Sequence, residues 1–157
     1  MRGRSFLSLA GFLLLTFAVS AVATRVTLPQ IPGWYAQLAK PSFTPPNWVF
    51  GPVWTTLYIL IAISAWLVWR SGDPARGRAL AVWGVQLALN LAWSLLFFGA
   101  HRLAFAVVDV VLLLLAIAET MLLFAPLSRI AALLLAPYLA WVAYASALTF
   151  AVWRLNT

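Results

Sequence analysis

The feature that most constrains this chain is a fivefold alternation of long apolar runs with short charged or turn-forming breaks. At 1.5 Å per residue, about 20 helical residues cross a hydrocarbon core of roughly 30 Å. Lipid offers the backbone no hydrogen-bond partner, so a run of this kind must satisfy its own N–H and C=O groups as a helix. With 65% apolar and 8% charged residues, the composition lies far from that of a soluble domain. The expectation is an all-α integral membrane protein, multi-pass and embedded in the lipid bilayer. Its single transmembrane domain, residues 1–157, is a five-helix bundle over approximately 5–24, 48–69, 79–98, 103–124 and 130–153, with a structured first loop over 25–47.

Charge sets the orientation and removes some function classes. Ten Lys/Arg stand against Asp73, Asp109 and Glu119, a net +7, and the basic residues fall in ones to threes between apolar runs. That is loop decoration facing headgroups, whereas nucleic acid would need them gathered on one face. Arg2, Arg4, Arg70, Arg76, Arg78 and Arg129 fall on the N-terminal side, and Arg25, Lys40, Arg102 and Arg154 on the other. Six against four favours a cytoplasmic N-terminus. The first run, bracketed by Arg2 and Arg4 and by Ala21-Val22-Ala23, also has the shape of a cleavable signal peptide, although it is long for one and Arg25 is a natural interfacial stop. The chain has no cysteine, and its one histidine, His101, sits in a turn beside Arg102. No metal site and no required cofactor are expected from such a set.

The densest non-random stretch is WYAQLAKPSFTPPNWVFGPVWTTLY, residues 34–58. Pro41, Pro45 and Pro46 forbid a regular helix there, Asn47 is a candidate N-cap, and from Trp48 the pattern turns helical. Trp54, Tyr58, Ile61 and Ala65 then share one face. On the third run Gln86, Asn90, Trp93 and Phe97 fall within about 40° of one another, and Gly84, Ala88 and Ala92 make a small-residue stripe nearly opposite. That stripe predicts a homodimer interface. Asp109 is expected on the side of the fourth helix shared with Phe105 and Leu112, paired with a loop arginine or a tryptophan N–H. On the fifth run Pro137, Trp141, Ala145 and Leu148 share a face. Nine tryptophans are present, and Trp54, Trp93 and Trp141 lie too deep for an interfacial belt. Rings converging between helices make a slot for a flat apolar molecule, with Asn90 and Gln86 able either to orient it or to bond across to a neighbouring helix.

The 34–58 block, then QLALNLAWSLLFFGA at 86–100, Phe105 to Asp109, and PYLAWVAYASALTFAVWRLN at 137–156 resemble the translocator protein family, also called tryptophan-rich sensory proteins or peripheral-type benzodiazepine receptors. The resemblance spans nearly the whole chain. It implies a five-helix receptor or sensor, commonly dimeric, whose capped cavity takes porphyrin or haem, sterol-like lipids and benzodiazepine- or isoquinoline-type drugs. It also implies that residues 5–24 are retained as a helix, in a bacterial cell-envelope membrane. Carried over by position, the ligand-binding residues are Trp48, Trp54, Tyr58, Asn90, Trp93, Phe97, Phe105, Trp141, Ala145 and Leu148. Phe105 stands where animal members often have a tryptophan, and Phe150 replaces the tyrosine of a sterol-recognition pattern, so drug and sterol binding are less expected than porphyrin. Trp54 and Trp141 match the pair linked in the family to light-dependent porphyrin breakdown, which makes them the candidate catalytic residues if the protein is an enzyme. A small-molecule transporter is the other alternative.

Overall fold

The computed structural model describes residues 2–157, with side chains from Ser5 onward; Arg2 and Arg4, counted above for orientation, fall outside the described side chains. Among the described residues there is no strand, and five helices are long and apolar enough to cross a bilayer: Ser5–Tyr35, Asn47–Arg70, Arg76–Gly99, Leu103–Phe124 and Arg129–Leu155. They are called the first to fifth helices below. The first packs on the second and third, the third on the fourth, the fourth on the fifth, and the fifth closes the ring on the second. The burial is uneven. Only 11% of the first helix's apolar stretch is covered by protein, against 28 to 39% for the other four.

Local sequence explains where the helices depart from expectation. The first helix does not stop near Thr24. It runs regularly to Thr27, tightens to a 3₁₀ turn over Leu28–Gln30, and widens to a π turn over Ile31–Tyr35. Pro29 and Pro32 each lack an N–H, and each falls in the opening positions of one of these turns, where the missing donor has no partner to lose. Changing the turn type lets the chain carry two prolines without leaving the helix axis. The loop expected over 25–47 therefore shrinks to roughly residues 38–46, and Trp34 and Tyr35 belong to the helix end. Asn47 does not cap the second helix. It opens a 3₁₀ turn, Asn47–Val49, with no side-chain cap bond. The fifth helix, expected as one run, bends at Leu135 between Arg129–Leu134 and Ala136–Leu155, because Pro137 cannot donate to the preceding turn. Ser128 starts it properly, its Oγ accepting from the Ala131 N–H at 3.2 Å.

The core sits among the second to fifth helices, around Ile61, Val68, Leu87, Val110, Ile117, Phe124, Leu135 and Val142, and Trp83 donates to the Ile61 carbonyl at 3.2 Å. Phe12 of the first helix meets Trp83 edge-on, and Trp66 donates to the Ser5 carbonyl at 2.9 Å. A second cluster, Tyr35, Phe97, Phe98, Ala106 and Val152, closes the end where the 38–46 loop lies.

Within the core, one polar chain ties three helices together. Tyr58 donates to Asn90 Oδ1 at 2.7 Å, Asn90 Nδ2 donates to the Tyr138 hydroxyl at 2.9 Å, and that hydroxyl donates to Gln86 Oε1 at 2.8 Å. All four residues are buried. Of the two readings open for Asn90 and Gln86, the structure shows the bond across to neighbouring helices. Tyr138→Phe would strand Asn90 Nδ2 and Gln86 Oε1 without partners, and stranding a buried polar group costs about 1–3 kcal/mol. Thermal unfolding in detergent should show Tyr138→Phe losing about that much, and more than Tyr144→Phe, whose hydroxyl is at the periphery.

Candidate functional site

A cavity of about 410 Å³ opens among the five helices, toward the end of the bundle where the 38–46 loop lies. Its depth is set by the polar chain, since Tyr58 and Asn90 form part of its wall. From the second helix come Trp48, Phe50, Trp54 and Tyr58; from the third, Asn90, Trp93, Phe97 and Phe98; from the fifth, Trp141, Ala145 and Leu148. The rings brace one another. Trp93 stacks on Phe97 with centroids 4.9 Å apart and planes 19° apart, Trp54 tilts over Tyr58 at 5.5 Å, and Trp141 meets Phe50 edge-on at 5.9 Å.

Nine of the ten residues expected to bind ligand thus surround one cavity, and Phe105 does not. It is 59% exposed on the outer face of the fourth helix, so this position cannot reach the cavity in this arrangement. Val110 and Leu113 are the fourth-helix residues that do. Asp109 also departs from expectation. It is buried at 6% exposure, turned inward from Phe105 and Leu112, and its Oδ2 has no hydrogen-bond partner among the described residues. Gly84, Ala88 and Ala92 lie away from the cavity, Ala88 exposed and the other two half-buried, and a Cβ built on Gly84 meets nothing within 4 Å.

Sequence reasoning missed the first-helix wall: Ser20, Ala23, Thr24, Thr27, Leu28 and Ile31. Residues 20, 24, 27 and 31 follow i, i+4, i+7, i+11, a signal hidden once the helix was ended near Thr24. Thr24, Leu28, Trp48, Gly51 and Thr55 are all exposed and all line the cavity, so it opens sideways between the first and second helices.

The loop over the cavity is held from the fifth helix. Asn156 accepts from the Ala39 N–H at 3.0 Å, and its Nδ2 lies 2.9 Å from the Ala39 carbonyl and 2.7 Å from that of Val152. The Tyr144 hydroxyl donates to the Phe43 carbonyl, and Lys40 Nζ sits 4.6 Å over the Tyr35 ring. The third-to-fourth turn is pinned beside it: His101, at φ 55°, stacks on Trp34 at 4.0 Å and its Nε2 is 3.0 Å from Gln30 Oε1. His101 therefore does not line the cavity.

Residues 12–154 match the model of the TspO/MBR family. The chain belongs to that family. It is 41% identical over 152 residues to the tryptophan-rich protein TspO of Archaeoglobus fulgidus, covering 97% of this chain and 99% of the relative. It is 45% identical over 126 residues to the human translocator protein, covering 78% of this chain and 75% of the relative. With the tryptophan-rich sensory protein of Cereibacter sphaeroides it shares 41% over 146 residues, 92% and 91% of the two chains. Five spanning helices and TspO/MBR membership make it an integral, multi-pass membrane protein.

In this TspO/MBR protein Asn156 clamps the loop through both the N–H and the carbonyl of Ala39. Asn156→Ala should speed hydrogen exchange of the Ala39 amide by about tenfold or more, since its side-chain acceptor is lost. Exchange of core amides such as that of Ile117 should stay unchanged in the same mass-spectrometric experiment.

Proposed function

We propose that this protein is a membrane receptor or sensor that binds a flat tetrapyrrole in the aromatic cavity. The observation that carries the reading is the convergence of Trp54, Trp93, Trp141 and Phe97 on one space of about 410 Å³, a volume typical of small-molecule sites. A planar conjugated ring gains most from such walls, because stacking adds roughly 0.5 to 1.5 kcal/mol per aromatic pair beyond area burial. The sideways opening supports the reading too, since an extended ring can project beyond the enclosed volume toward the bilayer.

Trp141→Ala or Trp54→Ala removes a stacking face and enlarges the cavity. Each should weaken protoporphyrin binding about tenfold or more, measured by tryptophan quenching of the purified protein. Asn90→Ala should weaken it less directly, because both ends of that amide already serve Tyr58 and Tyr138. No histidine, and no cysteine, lines the cavity to coordinate iron. Metal-free porphyrin should consequently bind within a few-fold of haem; a hundredfold haem preference, or a Soret band reporting histidine ligation, would overturn the site as drawn.

The same reading includes a homodimer through Gly84, Ala88 and Ala92, where small residues let backbones approach closely in lipid. A Cβ at Gly84 meets no neighbour within 4 Å in its own chain, so Gly84→Leu adds bulk on the stripe itself. It should therefore yield monomer in detergent, by light scattering, with porphyrin affinity intact.

A further inference from the structure

Hydroxyl groups in the spanning helices mostly spend their proton on their own backbone. Thr16, Thr55, Ser64, Thr120, Ser146 and Thr149 each donate to a carbonyl three or four residues back. Four hydroxyls facing the cavity do not: Ser20, Thr24 and Thr27 of the first helix and Ser94 of the third have no hydrogen bond to any described residue. Ser94 is the telling one. It is 9% exposed and lines the cavity beside Trp93, whose buried Nε1 has no hydrogen-bond partner among the described residues.

These four also share a neighbourhood. A Cβ on Gly99 would lie 3.2 Å from Val26 Cγ1, which fixes the two helices side by side at that level. Counting 1.5 Å per residue down both helices, Ser94 and Ser20 lie roughly one and a half turns below this contact, at matching depth. Thr24 and Thr27 lie within about one turn of it, near the edge of a ~30 Å hydrocarbon slab centred on the third helix. The aromatic faces of Trp54 and Trp141 come from the second and fifth helices. The cavity thus carries its free hydroxyls on the first- and third-helix walls, beside Trp93 and Phe97 and across from Trp54 and Trp141, and on the first helix they rise toward the headgroups.

We propose that Ser20, Thr24, Thr27 and Ser94 form a polar-edge subsite that hydrogen-bonds the carboxylate edge of a planar amphipathic ligand while its ring lies on the aromatics. This rests on the tetrapyrrole reading above and adds which edge of the ligand is read, and by what. A carboxylate within hydrocarbon is costly unless hydrogen-bonded or raised to the interface. These hydroxyls supply both conditions: deep donors at Ser20 and Ser94, and shallow ones at Thr24 and Thr27.

The test compares two porphyrins on the same proteins: protoporphyrin IX, with two propionates, and octaethylporphyrin, with ethyl groups only. Thr24→Val with Ser94→Ala, and separately Ser20→Ala with Thr27→Val, remove hydroxyls at nearly constant shape. Each pair should weaken protoporphyrin about tenfold by tryptophan quenching, a charge-assisted hydrogen bond being lost, and leave octaethylporphyrin within about twofold. Octaethylporphyrin also reports whether the variants keep a folded cavity. Equal loss for both porphyrins, or no loss for either, overturns the subsite and leaves the tetrapyrrole reading standing. If the unaltered protein quenches with neither porphyrin, that reading itself fails and takes the subsite with it.

Discussion

The rest of the bundle depends on the Tyr138 hydroxyl. It accepts from Asn90 Nδ2, donates to Gln86 Oε1, and through Asn90 reaches Tyr58, so the second, third and fifth helices are tied at one depth. In lipid, apolar contact alone discriminates poorly between helix registers, because acyl chains are as apolar as leucine side chains. A directional chain does discriminate, since sliding any one helix by a turn leaves buried polar groups unpaired. Below it the helices pack closely around Ile61 and Ile117; at its level and above, they separate enough to leave a cavity.

That chain also decides what the cavity walls can offer. Asn90, Gln86, Tyr58 and Tyr138 are the most polar uncharged residues near the site, yet their hydrogen bonds are mostly spent on one another. What remains available is aromatic surface, the unpartnered Trp93 Nε1, and the hydroxyls of the first and third helices. The loop above is braced by backbone-directed bonds from Asn156 and Tyr144. The cavity is therefore more rigid at its floor and roof than along its first-helix wall.

Much of this was legible in the sequence because lipid simplifies the code. Five apolar runs could only be helices, and a 100° wheel placed Tyr58, Ile61 and Ala65 inward and Ala88 outward, as the structure has them. The same wheel put Asn90, Trp93 and Phe97 on one face. What was not legible lay where a local rule met a non-local one. Arg25 reads as an interfacial stop, but the helix continues past it, through Pro29 and Pro32, by 3₁₀ and π turns. The family resemblance placed Phe105 in the site, but packing of the fourth helix against the third and fifth turns that position outward. The first-helix hydroxyls went unnoticed because serine and threonine in a spanning helix usually bond to their own carbonyls.

The sparse burial of the first helix has a consequence for how the cavity can respond to being filled. Phe6, Leu7 and Leu14 are 69 to 74% exposed, apolar surface fit to meet acyl chains. If that helix tilts by a few degrees, its outer surface exchanges one acyl chain for another at almost no free-energy difference. The first helix is tied near its start by Trp66 and Trp83 and near its finish by Gly99 and His101, and the stretch between is the most lightly packed wall of the bundle. Mechanical softness is thus concentrated on the one side of the cavity that also opens to lipid.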